Sequence, residues 1–298
     1  MKKFQVLLFF ILIASYVSAQ SQFMLYSLKG NVSVVENNIT SKAKVGKMLD
    51  SKATIKIATG GSVTLVCNEA AMFSIMKAGN YPLSKFNDSC QAGRSSVSAN
   101  YVKYVWAQMT KASVDAGSNR KAFMNTVGAV TRNVNNIWID SKLDTVNYAG
   151  GDFPLSWKCY SDSKEFEVQL YTQDNIATPF FSTYVTKLKI NIPDLVSKMK
   201  PGSAYFWNAA VKGEQNDDLK VLNYVTKEKF DEVMSIINSQ KPGVEAPAEE
   251  AYRTAFMLED AHYLADAYKY YAKAAQLEPT NALYRSTLMS FKKDYEIK

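Results

Sequence analysis

The chain has one histidine and three cysteines among its 298 residues, and each scarcity closes off a class of chemistry. With His262 alone, no pair of imidazoles can hold a metal, and any histidine-type catalytic base would have to be that residue. It lies between Ala261 and Tyr263 in a helix-like stretch, where a packed or solvated helix side chain is expected. Cys67, Cys90 and Cys159 form neither a C-x-x-C pair nor a Cys/His cluster, so no zinc site is expected. There is no G-x-S-x-G, P-loop or G-x-G-x-x-G, and so no nucleophile elbow or phosphate cradle. Carboxylates adjoin at Asp217-Asp218 and Glu249-Glu250, yet sequence neighbours do not face each other on a helix and read as solvated charges. Asp140 and Asp144 lack the oxygen-rich spacing of a calcium loop. No catalytic, cofactor-binding or metal-ligating residue is assigned.

Long apolar runs are scarce too. One extends from Phe4 to Tyr16, shorter than the ~20 residues of a membrane span. Met1-Lys2-Lys3 precedes it and Val17-Ser18-Ala19 follows, the layout of a secretory signal. Residues 1–19 are therefore expected to be a signal peptide cut after Ala19. The product would be exported, periplasmic or on the cell surface, without a transmembrane segment or a lipidation cysteine at the junction. A chain of this length holds more than one domain. Its 47% hydrophobic and 21% charged residues are ordinary for globular protein. The net charge of +7 is spread along the chain. A denser basic stretch, Lys187, Lys189, Lys198 and Lys200, carries no glycine-aromatic RNA motif, so nucleic acid is not an expected partner. Weak attraction to an anionic envelope surface is compatible with that charge.

Outside the cell a Cys67–Cys90 bridge is chemically allowed and would close a loop worth ~3 kcal/mol in the loop-entropy picture. The other reading makes all three cysteines small buried apolar side chains. The odd count and the strand-like surroundings of Cys67 and Cys159 leave both open.

Residues 20–90 read as short strands broken by turns: Met24–Leu28, Val32–Val35, Ala53–Ala58, Val63–Cys67 and Met72–Ile75, with Gly30 and Thr59-Gly60-Gly61-Ser62 between them. Alternation bounded by glycine turns indicates a small antiparallel β domain. The order Gly30-Asn31-Val32, Gly46-Lys47-Met48-Leu49, Ile55, then Thr59-Gly60-Gly61-Ser62-Val63-Thr64-Leu65 resembles the FecR-type β domain. Where that family commonly has an acidic residue and glycine, this chain has Asn68-Glu69-Ala70. The resemblance implies an envelope signalling or assembly context. Full regulators of the family carry a membrane helix and an inner-face segment, which this chain lacks, so no anti-sigma activity is expected.

Residues 91–136 read as a helix and a linker. Tyr101, Val105 and Met109 recur at helical spacing over Ala99–Thr110, with Ser98 as N-cap, and Ala112–Asn136 is linker-like. Residues 137–225 form a second β unit, with strand patterns at Phe153–Cys159, Phe166–Tyr171, Leu188–Ile192 and Tyr205–Val211. Trp157 in its second strand and Met199-Lys200-Pro201-Gly202-Ser203-Ala204-Tyr205 resemble a fibronectin type III (Ig-like) sandwich. Pro201 and Gly202 would set the turn, and Tyr205 would tie its corner back to backbone.

Residues 226–298 are read as helical. Thr226–Gln240 shows Phe230, Val233 or Met234, and Ile237 on one side, and Lys241–Pro247 is a short linker. Ala267, Tyr271, Ala274 and Pro279, with Ala255 twelve residues earlier, resemble a tetratricopeptide repeat. Small residues there bring two helices close, Tyr271 fills the gap, and Pro279 ends the second helix. The next helix opens at Asn281 and presents Tyr284, Leu288 and Phe291.

The expected fold class is multi-domain β plus α: a small antiparallel β domain, an Ig/fibronectin III-like sandwich and a C-terminal helical hairpin. The expected function is that of a non-catalytic exported adaptor or scaffold of a bacterial cell envelope, bound to a protein partner. The alternative is a module for peptidoglycan or surface polysaccharide, with Tyr26, Phe73 and Tyr81 as the aromatic face.

Overall fold

The structure, a computed structural model, describes residues 21–90, 97–110 and 136–297. The expected signal peptide and most of the linker after Thr110 lie outside these. The architecture is mixed β plus α, with N-terminal antiparallel sheets, more β structure in the middle and helices at the C-terminal end. Contacts divide it into two units, residues 21–90 with 242–244, and the remainder from 97 onward.

In the first unit, β1 (Gln22–Lys29), β4 (Met48–Asp50), β6 (Ser62–Cys67) and β7 (Ala71–Ile75) form one sheet in the order β4-β1-β6-β7. The other, ordered β3-β2-β5-β8, contains β2 (Val32–Glu36), β3 (Ile39–Lys42), β5 (Thr54–Ile57) and β8 (Gly79–Pro82). Both are antiparallel, and their inward residues share one core: Phe23, Leu25, Val63 and Leu65 from the first sheet, Val32, Val34, Ile55 and Ile57 from the second. That is the alternation read from the sequence, converted into two facing layers. A 3₁₀ helix, Leu83–Cys90, follows β8, and its Cys90 is disulfide-bonded to Cys67 at the end of β6.

Two turns depend on left-handed backbone. Asn37 and Asn38 (φ 50° and 65°) join β2 to β3, and Asn68 and Glu69 (φ 49° and 59°) join β6 to β7. The Ala70 N–H closes the latter on the Cys67 carbonyl at 2.9 Å. Asparagine tolerates this region, so Asn68-Glu69-Ala70 makes the tight hairpin without a glycine. Gly30 has a different reason. A Cβ there would lie 2.9 Å from the Gly61 Cα, so the two turns touch backbone to backbone. Val244, from the segment before the last helices, also belongs to this unit. Its N–H donates to Ser74 Oγ (3.2 Å) and its carbonyl accepts from Thr64 Oγ1 (2.7 Å).

The second unit opens with α1 (Ala99–Thr110). Its main sheet has the order β10-β17-β16-β13-β14: β10 (Thr145–Tyr148), β17 (Lys220–Tyr224), β16 (Ser203–Val211), β13 (Phe166–Thr172) and β14 (Phe181–Val185). The β10–β17 pair is parallel and the others antiparallel. Two short pairs accompany it: β11 (Pro154–Ser156) with β15 (Lys189–Asn191), and β9 (Ile137–Trp138) with β12 (Lys158–Cys159). The run Phe153–Cys159, expected as one strand, is thus divided at Trp157, whose ring meets Phe166 of β13 at 5.9 Å. The pattern expected through Ile192 stops at Asn191. Pro193 lacks an N–H for pairing but fits a helical first turn, and α2 (Ile192–Val196) begins there.

Four helices complete the unit: α3 (Lys227–Ser239), α4 (Pro247–Asp260), α5 (Leu264–Leu277) and α6 (Ala282–Asp294). Thr226 caps α3, and Asn281 caps α6 by accepting from the Leu283 and Tyr284 N–H groups at 3.1 and 3.4 Å. Ala255, Ala267 and Ala274 are fully buried, as is Tyr271, whose hydroxyl donates to Glu259 Oε2 at 2.9 Å. The helix before Pro279 ends at Leu277. The helices do not stand alone. Tyr104 of α1 stacks on Phe256 of α4 at 4.6 Å and is hydrogen-bonded to Tyr252, which meets Thr287 of α6 at 2.9 Å. Arg253 of α4, fully buried, donates to the Ile237 carbonyl of α3 (3.0 Å) and to both oxygens of Glu245. Phe153, beside β11, packs against Tyr295 after α6. His262, expected within a helix, instead occupies the turn between α4 and α5 with φ 60°.

Candidate functional site

The β9–β12 register sets Trp138 directly opposite Lys158. Cross-strand neighbours of this kind can touch, and the Lys158 ammonium lies 4.9 Å from the Trp138 ring centroid. The β11–β15 register sets Ser156 opposite Lys189, and the Leu188 carbonyl accepts from the Trp157 N–H at 3.1 Å. These two pairs therefore bring Trp138, Trp157, Lys158, Leu188 and Lys189 to one border of the β module.

The end of α6 meets that border. Lys292 and Lys293 occupy its last turn, where cations complement the partial negative charge of a helix C-terminus. The chain then folds back, with the Ile297 N–H on the Lys292 carbonyl at 2.9 Å. Lys189 Nζ donates to the backbone carbonyl of Glu296 at 2.7 Å, fastening the two walls. Two cavities open between them. One, of about 270 Å³, is lined by Trp138, Asp140, Lys142, Ser156, Trp157 and Lys293 among others. The second, of about 520 Å³, has Trp157, Leu188 and Ile297 with a rim of lysines. They share Trp157, Lys158, Lys293 and Glu296. A third, of about 370 Å³, shares Lys187 and Lys189 with the second and runs to Tyr184 and Val185 of β14. Together they form a trough that ends at an edge strand.

The charge of the trough is one-sided. Six lysines (142, 158, 187, 189, 292 and 293) line the three cavities against Asp140, Asp194, Asp294 and Glu296. Among the described residues, Lys142 is the one of the six whose ammonium is bonded to a carboxylate, that of Asp140 at 3.2 Å. The floor is apolar. Trp157 is only 4% exposed, and its indole N–H has no acceptor among the described residues, while Leu188 stands 42% exposed. An arrangement of ammonium groups over apolar surface binds anions and shields an apolar group from water.

Trp157, Asp140, Lys187 and Lys189 are the residues singled out from the sequence that line the trough; the others lie elsewhere. The Lys200 N–H donates to the Tyr205 hydroxyl at 2.8 Å, and Gly202, after Pro201, takes φ 83° while its N–H meets the Tyr224 carbonyl. Cys67 and Cys90 are joined, and Cys159 is a half-buried free thiol. Ala255, Ala267, Tyr271 and Ala274 lie inside the helical core, and Pro279 lies in the turn before α6. Of the three aromatics offered as a glycan face, Tyr26 is buried. Phe73 and Tyr81 are half-buried on the core and meet Phe86 at 5.3 and 6.3 Å. Burial holds the His262 imidazole below its usual pKa, with Asp260 and Asp144 pulling the other way. Its backbone carbonyl accepts from the Asn147 N–H at 2.9 Å, fastening the α4–α5 turn to β10.

Reading along the chain missed the trough because its parts come from three segments, 138–158, 184–194 and 292–297. Lys187 and Lys189 were visible as a basic stretch, but Lys198 of that stretch diverges and lies over the Phe181 ring at 5.4 Å. The sequence matches no protein-family model, and no curated protein resembles it at a significant level.

Proposed function

We propose that this chain is an exported, non-catalytic adaptor or scaffold of a bacterial cell envelope that binds a protein partner. The observation that carries the reading is the lysine-rimmed, apolar-floored trough where the β module meets the end of α6. It offers contact area and charge on rigid elements, which is what a recognition surface requires. The β9–β12 and β11–β15 pairs and the cap of α6 hold its walls in place without a ligand. The FecR-type and repeat-like resemblances support an envelope assembly role. The Cys67–Cys90 bridge accords with an oxidising compartment.

The test is crosslinking in the native envelope, followed by reconstitution of any crosslinked protein with the purified chain. A partner that binds the purified chain with 1:1 or other fixed stoichiometry supports the adaptor reading. Failure to recover any protein, with retention on peptidoglycan or surface polysaccharide instead, replaces it with the glycan-binding alternative. Deleting everything after Lys241 is a poor probe, because α4 carries Tyr252 and Phe256 against α1 and Tyr295 covers Phe153. Point substitutions in the trough are the usable ones.

A further inference from the structure

We infer that the trough takes an acidic, extended peptide segment of the partner, with one apolar side chain seated on Trp157, Leu188 and Ile297. The inference rests on the adaptor reading above and names what the partner must present. Charge complementarity is the first argument. Lys187, Lys292 and Lys293 are joined there by Lys158 and Lys189, whose ammonium groups rest on an aromatic ring and a backbone carbonyl rather than on carboxylates. Several adjacent ammonium groups repel one another, and carboxylates of a ligand relieve that repulsion.

Shape and polarity narrow the ligand further. The cavity of about 520 Å³ has Trp157, Leu188 and Ile297 among its lining residues, enough for one large apolar side chain and its neighbours. A purely polyanionic chain would leave that floor wet, whereas a leucine or phenylalanine flanked by acids covers it while its carboxylates reach the rim. The trough also continues, through Lys187 and Lys189, to the edge of β14, which among the described residues pairs with β13 alone. An extended segment can run along such an edge and donate to it in the manner of an added strand. An acidic peptide thus matches the three features together, while an acidic glycan answers only the charge.

The probe is a fluorescein-labelled heptapeptide of glutamate and aspartate with one central phenylalanine. It is titrated against the full exported chain by anisotropy, beside a twin with alanine at the centre and a hyaluronate oligosaccharide of equal charge. The phenylalanine peptide is expected to bind at least tenfold more tightly than either. Lys292→Glu with Lys293→Glu should weaken it at least tenfold, and Leu188→Ser should erase the preference for phenylalanine over alanine. These side chains lie on the rim or are substantially exposed, and an unchanged melting curve verifies that each variant is folded. Equal binding of the two peptides, tighter binding of hyaluronate, or indifference to the substitutions overturns the inference. If it falls while the wild-type chain still crosslinks to and reconstitutes with a protein, the adaptor reading stands and the contact lies elsewhere. If no protein is recovered, the adaptor reading itself falls.

Discussion

Arg253 and Glu245 form a buried ion pair whose two halves should respond differently to removal. The guanidinium contacts both carboxylate oxygens, Nε at 3.0 and 3.1 Å and Nη2 at 3.1 Å, and Nη1 donates to the Ile237 carbonyl at 3.0 Å. The side chains are 0% and 5% exposed. Glu245→Leu strips the acceptors from a cation that cannot lose its proton, leaving an uncompensated buried charge at a cost of about 3–5 kcal/mol. For a unit of this size that corresponds to a fall in Tm of about 6–20 °C. Arg253→Met leaves a carboxylate instead, and a carboxylate has an escape. Burial already pushes the Glu245 carboxyl up, and Arg253 is the main group that pulls it back. Without the arginine its folded pKa lies further above the unfolded value, so the folded state takes up a proton and the penalty shrinks in acid. The loss should therefore fall near pH 5 to about the 1–3 kcal/mol of the Ile237 carbonyl left without its donor, and grow toward pH 7.5, the direction for an acid whose folded pKa is raised. Each tenfold gain in the carboxylate's proton affinity on folding adds about 1.4 kcal/mol to it. The Glu245→Leu loss should be nearly flat over that range. Combining the two substitutions should recover most of the stability, short of about 1–3 kcal/mol for the Ile237 carbonyl left without its donor. Urea unfolding followed by circular dichroism at the two pH values measures all of this. A Glu245→Leu loss below about 1 kcal/mol, or an Arg253→Met loss that ignores pH, would refute a dry, charged pair.

Replacing Cys67 and Cys90 by serine should lower the stability of the first unit by about 3 kcal/mol through the opened loop, read as an earlier melting transition. Thiol titration of the unfolded, unreduced chain should find one reactive group, Cys159. Tyr205→Phe removes the acceptor of the Lys200 N–H and should cost about 0.5–1.5 kcal/mol, checked by denaturant midpoint; no change would mean that the corner does not need the hydroxyl. His262 is buried enough to hold its pKa down. Its stabilising effect should therefore be complete above about pH 6.5 and be lost as pH falls through the lowered folded value. His262→Asn tolerates φ 60° and should flatten that acid-side decline; an unchanged Tm–pH curve would contradict it.

Much of the architecture was legible along the chain because local rules decide it. Helix α1 falls on Ala99–Thr110, as its spacing indicates, and α3 lies one residue inside each end of Thr226–Gln240. Strands β1, β2, β5, β6 and β7 coincide with the alternating runs to within about two residues. Of the strands that escaped notice, β3, β4 and β14 lack such a pattern. All four residues of β3 are exposed, β4 has three residues, and β14 is an edge strand without a buried face. The division at Trp157 was also invisible, since Phe153–Cys159 reads as one run and only pairing with two different partners separates it.

By itself the sequence determined the class of structure. Apolar periodicity set strands before helices, asparagine and glycine placed the tight turns, and small residues at Ala255, Ala267 and Ala274 allowed close helix packing. The lack of clustered histidine and cysteine narrowed the chemistry. Tertiary structure decided what meets what. It chose the Cys67–Cys90 bridge over buried thiols, sealed Arg253 against Glu245 and buried Tyr26. It also gathered Trp138, Trp157, Leu188 and the lysines of α6 into one trough. The physical reason is range. Periodicity and turn chemistry act over a few residues, while charge clustering and burial depend on distance in space, which distant segments acquire only when the chain has folded.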